Sequence, residues 1–343
     1  MAEILTLTLN PAVDVATSVD TIVDTRKLRC SAARRDPGGG GINVARVLHR
    51  LGADCEALYL AGGPLGRTLG AMIEAEGVPA TCVGIAGETR ENFSVRENST
   101  GREFRFVLPG PVLAEAEWQA CLRHLGELAI APRYLVLSGS VPPGVPDDIY
   151  ARIAGIARQR GTRVVLDSSG APLAAALAAG VFLVKPSLSE LCTLAGHALE
   201  DDAQRLDAAR RIVRAGGAAI VALTLGEQGA LVVTADRALR VRAFAVPVAS
   251  SIGAGDSFVA AMVWAVNRGM SFNETLRYAV AAASASLLAE GTRLCDRDQV
   301  ERIYRELASA DLVAVGAQPS TRPVGTVAGS ATLTGVRESK GDR

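Results

Sequence analysis

The segment Ser251-Ile252-Gly253-Ala254-Gly255-Asp256-Ser257-Phe258 ends a strand-like run and opens a long helix pattern of small residues. A glycine turn at a helix start leaves main-chain N–H groups without intrahelical partners, and together with the helix dipole these favour an anion. Asp256 then places a carboxylate beside an anion hole, where it is at odds with the local field unless it handles a proton. The pairing points to phosphoryl transfer onto a hydroxyl, with Asp256 as base and the amides of Gly253, Ala254 and Gly255 as the anion hole. Taken alone, a Gly-Ala-Gly-Asp run also fits an Asp close to an N-cap with glycines for a tight turn.

Other segments carry complementary chemistry. Pro37 leads four glycines, Gly38 to Gly41, into Ile42-Asn43-Val44-Ala45. Successive glycines let main chain approach a ligand closely, and Asn43 offers both a donor and an acceptor, which suits a polyhydroxylated ligand. Asp14, in Asn10-Pro11-Ala12-Val13-Asp14, follows the first strand directly and so falls at the carboxyl edge of a sheet, where open α/β proteins bind ligands. Ser138-Gly139-Ser140-Val141-Pro142-Pro143-Gly144 ends another strand and brings hydroxyls to the same edge. Lys27, Arg29 and Arg90 are candidate phosphate cations, since guanidinium forks match phosphate oxygens in pairs. Asp167, Lys185, Ser187 and Glu190 close two further strands and could hold a hydrated Mg²⁺ beside nucleotide phosphates. Thr224-Leu225-Gly226-Glu227-Gln228-Gly229 is either a plain hairpin or a turn wrapped around a nucleotide.

These groups must be positioned by a scaffold, and the pattern predicts one. Strands are expected at 4–9, 56–60, 80–85, 134–137, 163–166, 182–184, 220–223 and 230–233. Helices are expected at 41–51, 66–76, 115–128, 147–160, 189–195 and 202–215. This alternation predicts an α/β fold, a doubly wound, mostly parallel sheet flanked by helices, with right-handed crossovers. Two segments break the rhythm, 12–36 and 88–108. The second reads as a polar-faced hairpin around Ser99-Thr100-Gly101, and together they predict a small antiparallel β-sheet lid that can cover a cleft and exclude water; two ordinary edge hairpins are the alternative. A single domain over 1–310 is expected, with a disordered tail of Ala, Gly, Ser, Thr, Pro and Val over 311–343.

Composition excludes several classes. Over 343 residues, 36 Lys+Arg balance 36 Asp+Glu, so no global field attracts nucleic acid or an anionic membrane, and anions must be caught locally. The six cysteines lack C-x-x-C spacing, which argues against zinc and a secreted disulfide framework and for a reduced cytoplasm. The most apolar windows, 258–266 and 278–289, are too short to span a bilayer, and no basic n-region precedes an apolar stretch near Glu3. Only His49, His124 and His197 are present, in helix-like surroundings that do not suggest histidine catalysis.

In order and spacing, GGGGINVA, SGSVPPG, VLDSSG with VKPSLSEL, LTLGEQGA, SIGAGDSFVAAM and EGTRLC closely resemble the PfkB-type (ribokinase-like) carbohydrate kinases, over residues 4–308, and most of all the phosphofructokinase branch of that family. The resemblance implies a doubly wound sheet whose β lid doubles as a homodimer interface, and ATP and Mg²⁺ as cofactors. It implies Asp256 as catalytic base. Asp14, Gly39, Gly40, Asn43, Arg90, Ser138 and Ser140, with Lys27 and Arg29 on a lid strand, match its sugar-phosphate contacts. Lys185, Ser187, Thr224, Gly226, Gly229 and Ser284 match its nucleotide contacts. Ser250, Ile252, Ser286, Ala289, Gly291 and Arg293 match a monovalent cation site, K⁺ being the candidate ion, and Glu190 the Mg²⁺ water shell. The family commonly carries Asn-x-x-Glu where this chain reads Ser187-Leu188-Ser189-Glu190, which puts metal handling more in doubt than phosphate handling. The implied reaction is ATP-dependent phosphorylation of fructose 6-phosphate at its C1 hydroxyl. The Asn10 to Asp14 stretch is shared with kinases of fructose 1-phosphate and tagatose 6-phosphate. These remain alternatives, as does a sugar-phosphate or nucleotide sensor without turnover.

Overall fold

The computed structural model describes residues 2–307 and 312–315. The first half of the chain runs β1 (Ile4–Thr8), β2 (Ala12–Val19), β3 (Arg34–Gly38), α1 (Gly40–Arg50), β4 (Cys55–Ala61), α2 (Gly63–Ala75), β5 (Ala80–Gly84), β6 (Arg90–Glu97), β7 (Glu103–Val107), α3 (Glu115–Glu127), β8 (Tyr134–Ser138), α4 (Ile149–Gln159) and β9 (Arg163–Asp167). The second half runs α5 (Gly170–Ala179), β10 (Val181–Val184), α6 (Leu188–Ala195), α7 (Asp202–Arg214), β11 (Ala218–Thr224), β12 (Ala230–Val233), β13 (Ala238–Val241), α8 (Ala254–Asn267), α9 (Phe272–Leu287), α10 (Arg297–Glu306) and β14 (Leu312–Ala314). Ten strands form one sheet in the order β14-β13-β12-β11-β10-β9-β8-β1-β4-β5. From β11 through β5 every neighbour is parallel, and the β12 to β14 edge is antiparallel.

Helices cover both faces, as the sequence alternation predicts, and the strands divide their side chains between two cores. On β8, Tyr134 and Val136 join α1, α8, α9 and α10, while Leu135 and Leu137 join the opposite core with α3 and α4. That period of two is what burial on both faces demands of a central parallel strand. Strand order reverses at β1, which lies between β4 and β8. The carboxyl ends of β1 and β8 therefore bound a switch-point crevice.

The small sheet has the order β3-β2-β6-β7. Its central pair, β2 and β6, is parallel, with β3 and β7 antiparallel on the outside, so it is not the antiparallel flap expected from the hairpin pattern. The reason is connectivity: β2 continues from β1 and β6 from β5, two parallel strands of the main sheet, so both enter the small sheet in the same direction. Lys27 and Arg29 were expected on a strand here. They lie instead in the exposed stretch between the end of β2 and the start of β3, because strand pairing with β3 begins only at Arg34. Within the expected tail, Leu312–Ala314 pair with β13 and Val315 N donates to Ala238 O; the rest of it, 311 and 316–343, lies outside the described residues. No helix among the described residues is long and apolar enough to cross a membrane.

Candidate active site

Between the carboxyl edge of the main sheet and the inner face of the small sheet lies a cleft of about 410 Å³. It gathers Asp14, Gly39, Gly40, Asn43, Arg90, Ser138, Ser140, Gly253, Gly255 and Asp256 from segments up to 242 residues apart, counting Asp14 to Asp256.

The glycine run is packed rather than loose. A Cβ on Gly40 would sit 2.2 Å from Ser138 Oγ and 3.0 Å from Gly139 N, so only glycine lets the α1 start lie against the end of β8. At the second glycine turn, Gly253 has φ +78° and is the N-cap of α8, with no side-chain cap. The amides of Ala254 and Gly255 are thus left for a ligand. Lys185 Nζ stands beside them: it would be 3.7 Å from a Cβ on Gly255, and it pairs with Asp167 Oδ1 at 3.0 Å.

Asp256 sits in the first turn of α8, where its Oδ2 accepts from Asn43 Nδ2 at 2.9 Å. Burial, and then the nearby Asp167 charge, push its pKa up to about 6, against the opposing pull of Asn43 and Lys185. Asp14 Oδ1 accepts from Asn92 Nδ2 at 2.9 Å, and burial raises its pKa too, though Asn92 and Arg105 oppose the shift.

Several residues are placed otherwise than the sequence suggests. Arg90 lines the cleft, but its two terminal nitrogens donate to Leu108 O (2.8 Å) and Asn10 O (2.9 Å), so it braces the small sheet while only its buried Nε lacks a partner. Ser140 Oγ accepts from Asn10 Nδ2 at 3.1 Å. Ser187 is the N-cap of α6 in a reciprocal capping box with Glu190, whose Oε2 accepts from Ser187 N at 2.7 Å. The hydroxyl at this position thus has a local structural use, and one carboxylate oxygen of Glu190 is engaged. Thr224 bridges to Ser187, while Gly226 and Gly229 form the β11–β12 hairpin, all outside the lining of the cleft. Ser284 is 2% exposed within α9. Lys27 and Arg29 do not line the cleft.

Among the lining residues that the sequence did not single out are Asn92 and Arg105. Arg105 makes no hydrogen bond or ion pair among the described residues, and it is the cation in the cleft best able to receive a phosphate. The signal was present in the β7 alternation, where Glu103 and Arg105 share one face and Phe104 and Phe106 the other.

For cations the donor sets differ. Among the described residues no group of three or more His, Cys, Asp or Glu is placed to hold a metal, so Mg²⁺ would depend on phosphate oxygens and water with Glu190 near it. For a monovalent ion, Ser286 Oγ is buried without a partner beside Gly253, which fits. Ser250 Oγ instead donates to the Glu103 carboxylate at 3.0 Å, and Arg293 O accepts from Arg50 Nη1 at 2.6 Å. Ile252, Ala289 and Gly291 flank this region.

A doubly wound sheet with a glycine-capped anion hole and a buried carboxylate facing it defines a kinase-like phosphoryl-transfer site. The pfkB family carbohydrate kinase model matches residues 7–299, and the chain belongs to that family. Among relatives, the ATP-dependent 6-phosphofructokinase isozyme 2 of Mycobacterium tuberculosis is 45% identical over 89% of this chain and 90% of its own length. The phosphofructokinase-2 of Escherichia coli, 40% identical, has been solved with potassium, with fructose-6-phosphate and in a tetrameric inhibited form; these structures cover 90% of this chain and 99% of theirs at TM-scores of 0.84 to 0.85. A 1-phosphofructokinase of Xanthomonas campestris is 36% identical over 92% of this chain and 98% of its own length.

Proposed function

We propose that the protein transfers the γ-phosphoryl group of ATP to the C1 hydroxyl of fructose 6-phosphate, giving fructose 1,6-bisphosphate and ADP in the cytoplasm. The observation that carries this reading is the pairing of Asp256, oriented by Asn43, with the uncapped start of α8 and the Lys185 charge beside it. Asp256 takes the hydroxyl proton as the oxygen attacks. The amides around Gly253 to Gly255 and Lys185 steady the charge on the moving phosphoryl group. Asp14, Asn43 and the Ser138 to Ser140 turn hold sugar hydroxyls, and Arg105, with Arg90 behind it, receives the 6-phosphate. Lys185, Ser187, Thr224, Gly226 and Gly229 bound the nucleotide side. Mg²⁺, when bound, neutralises nucleotide oxygens, and a monovalent ion such as K⁺ would be held near Ser286. The small sheet acts as a lid that keeps water from serving as acceptor.

A coupled assay across fructose 6-phosphate, fructose 1-phosphate, tagatose 6-phosphate and ribose tests the reading. The highest kcat/KM is expected with fructose 6-phosphate; a higher value for any other acceptor replaces the substrate, and binding without turnover on all four replaces the enzyme with a sensor.

Since the base must be unprotonated, kcat is expected to fall along a one-proton limb as pH drops through about 6. A profile flat down to pH 4.5 would contradict the assignment. Arg105→Met is expected to raise the KM for the sugar phosphate by roughly 10- to 100-fold with a smaller change in kcat, as loss of a charge-assisted contact present in ground and transition states alike. An unchanged KM would take Arg105 out of the phosphate site.

The outer face of the lid is apolar and open: Phe93 and Phe106, opposite one another on β6 and β7, are 37 and 54% exposed. A second copy covering this face supplies the homodimer. Phe106→Asp is expected to move the protein toward monomer in analytical ultracentrifugation; an unaltered sedimentation coefficient would place the interface elsewhere.

A further inference from the structure

Arg46 is the largest of the fully buried side chains, 1% exposed, and it does not line the cleft. A buried guanidinium is tolerated only when its donors are met. Here Nε and Nη2 donate to Glu76 Oε1 (2.9 and 2.6 Å), and Nη1 is shared among Pro37 O (2.9 Å), Asn43 Oδ1 (3.2 Å) and Thr292 O (3.4 Å). Three segments around the site thus converge on one side chain: the end of β3 that enters the glycine run, the first turn of α1, and the loop after α9.

The contact to Asn43 has a chemical consequence. A carboxamide can present either its oxygen or its NH₂ to a given neighbour, but guanidinium only donates, so Arg46 demands the oxygen. The NH₂ is then turned to the other side, where Asp256 Oδ2 accepts from it at 2.9 Å. The flipped amide would set oxygen against carboxylate and NH₂ against guanidinium, repulsive at both ends.

We infer that Arg46 is a positioning residue for the transfer, locking Asn43 in the one amide orientation that gives Asp256 a hydrogen-bond donor. This rests on the role proposed for Asp256 above. Arg46 lies three residues after Asn43 on α1, so the two side chains share a helix face, and Glu76, the C-cap of α2, anchors the far end of the guanidinium. The relay Glu76, Arg46, Asn43, Asp256 carries orientation from the helix layer to the base, and its first two members lie outside the lining of the cleft.

A purely structural brace would lower stability alone, so the test separates the two in a double-mutant cycle. Arg46→Met, Asn43→Ala and the double variant of the full chain are assayed for kcat, for KM of fructose 6-phosphate and ATP, and for melting temperature. Arg46→Met is expected to lower kcat about tenfold or more, the worth of one hydrogen bond to a charged group, with both KM values within about threefold. In the Asn43→Ala background the same change is expected to alter kcat by less than about twofold, since the amide it orients is gone. An equal loss in both backgrounds, or a folded Arg46→Met variant with wild-type kcat, overturns the inference. Should Arg46→Met fail to fold, Arg46→Lys decides: one ammonium cannot serve both Glu76 and Asn43, so kcat is expected to fall several-fold, and wild-type kcat overturns the inference. An active Asp256→Asn enzyme would instead refute the base itself, so the two failures are distinguishable.

Discussion

Asp256→Asn is expected to lower turnover by roughly 10²- to 10⁴-fold, the usual worth of a positioned base, while raising the melting temperature at neutral pH. Both effects come from one cause. The carboxylate lies near Asp167 and Asp14 in a largely enclosed site, and its pKa stands at about 6, above the ordinary value of 3.8. A folded-state pKa above the unfolded one means that ionisation opposes folding. The cost is fully present above pH 6, shrinks as pH falls from 6 to 4, and is gone below about 4. With cleft water discounting the full shift, the cost is about 2 kcal/mol at pH 7. The neutral amide removes it, so the variant should melt higher than wild type at pH 7 to 8 and equally at pH 4. Kinetics at saturating substrates and calorimetry at both pH values check this. A variant with near-wild-type turnover would exclude Asp256 as base, and one that melts lower at pH 8 would exclude the strained carboxylate.

The same residue shows what was legible in the chain and what was not. Gly253 to Asp256 could be read directly because the chemistry lies in one contiguous turn, and the Gly38 to Gly41 run likewise. The parallel sheet was legible through the alternation of short apolar strands with helices. Less could be seen where a pattern has no period. The helix α5, Gly-Ala-Pro-Leu-Ala-Ala-Ala-Leu-Ala-Ala, is apolar on all sides, and α9 is buried along most of its length, so neither shows a polar face to mark it. Near the sheet's antiparallel edge β13 is four residues long, and the edge strand β14 pairs with it alone among the described residues. The direction of β2 against β6 depends on which main-sheet strands precede them, a non-local fact. Asn92 and Arg105 were hidden for a related reason: each reads as one polar residue on a hairpin until register sets Asp14 opposite Asn92. Arg90 was visible as a cation, but its carbonyl partners, Asn10 and Leu108, come from two loops and could be identified only in three dimensions.

Lys185→Met is the second substitution with a large expected effect, and it tests whether a buried charge serves folding, catalysis or both. Burial works against the Lys185 ammonium, but Asp167, Glu190 and Asp256 around it outweigh burial and raise its pKa, so it stays charged. Removing it leaves Asp167 and Asp256 facing one another without a counterion. Breaking a buried pair from one side costs about 3 to 5 kcal/mol, roughly 5 to 8 °C in melting temperature for a domain of this size. Replacing both partners, Lys185→Met with Asp167→Leu, removes the orphaned charge, and a well-packed apolar pair is often as stable as the ion pair it replaces. The double variant is therefore expected to recover most of the melting temperature. Turnover should not recover with it, because the cation beside Gly255 is still missing where charge develops on the phosphoryl group, a loss of at least about 10²-fold in kcat. A double variant that regained stability and activity together would show that Lys185 neutralises Asp167 and does nothing for the anion hole. One that regained only stability assigns the charge to the reaction, with Asp167 as the group that keeps it in place.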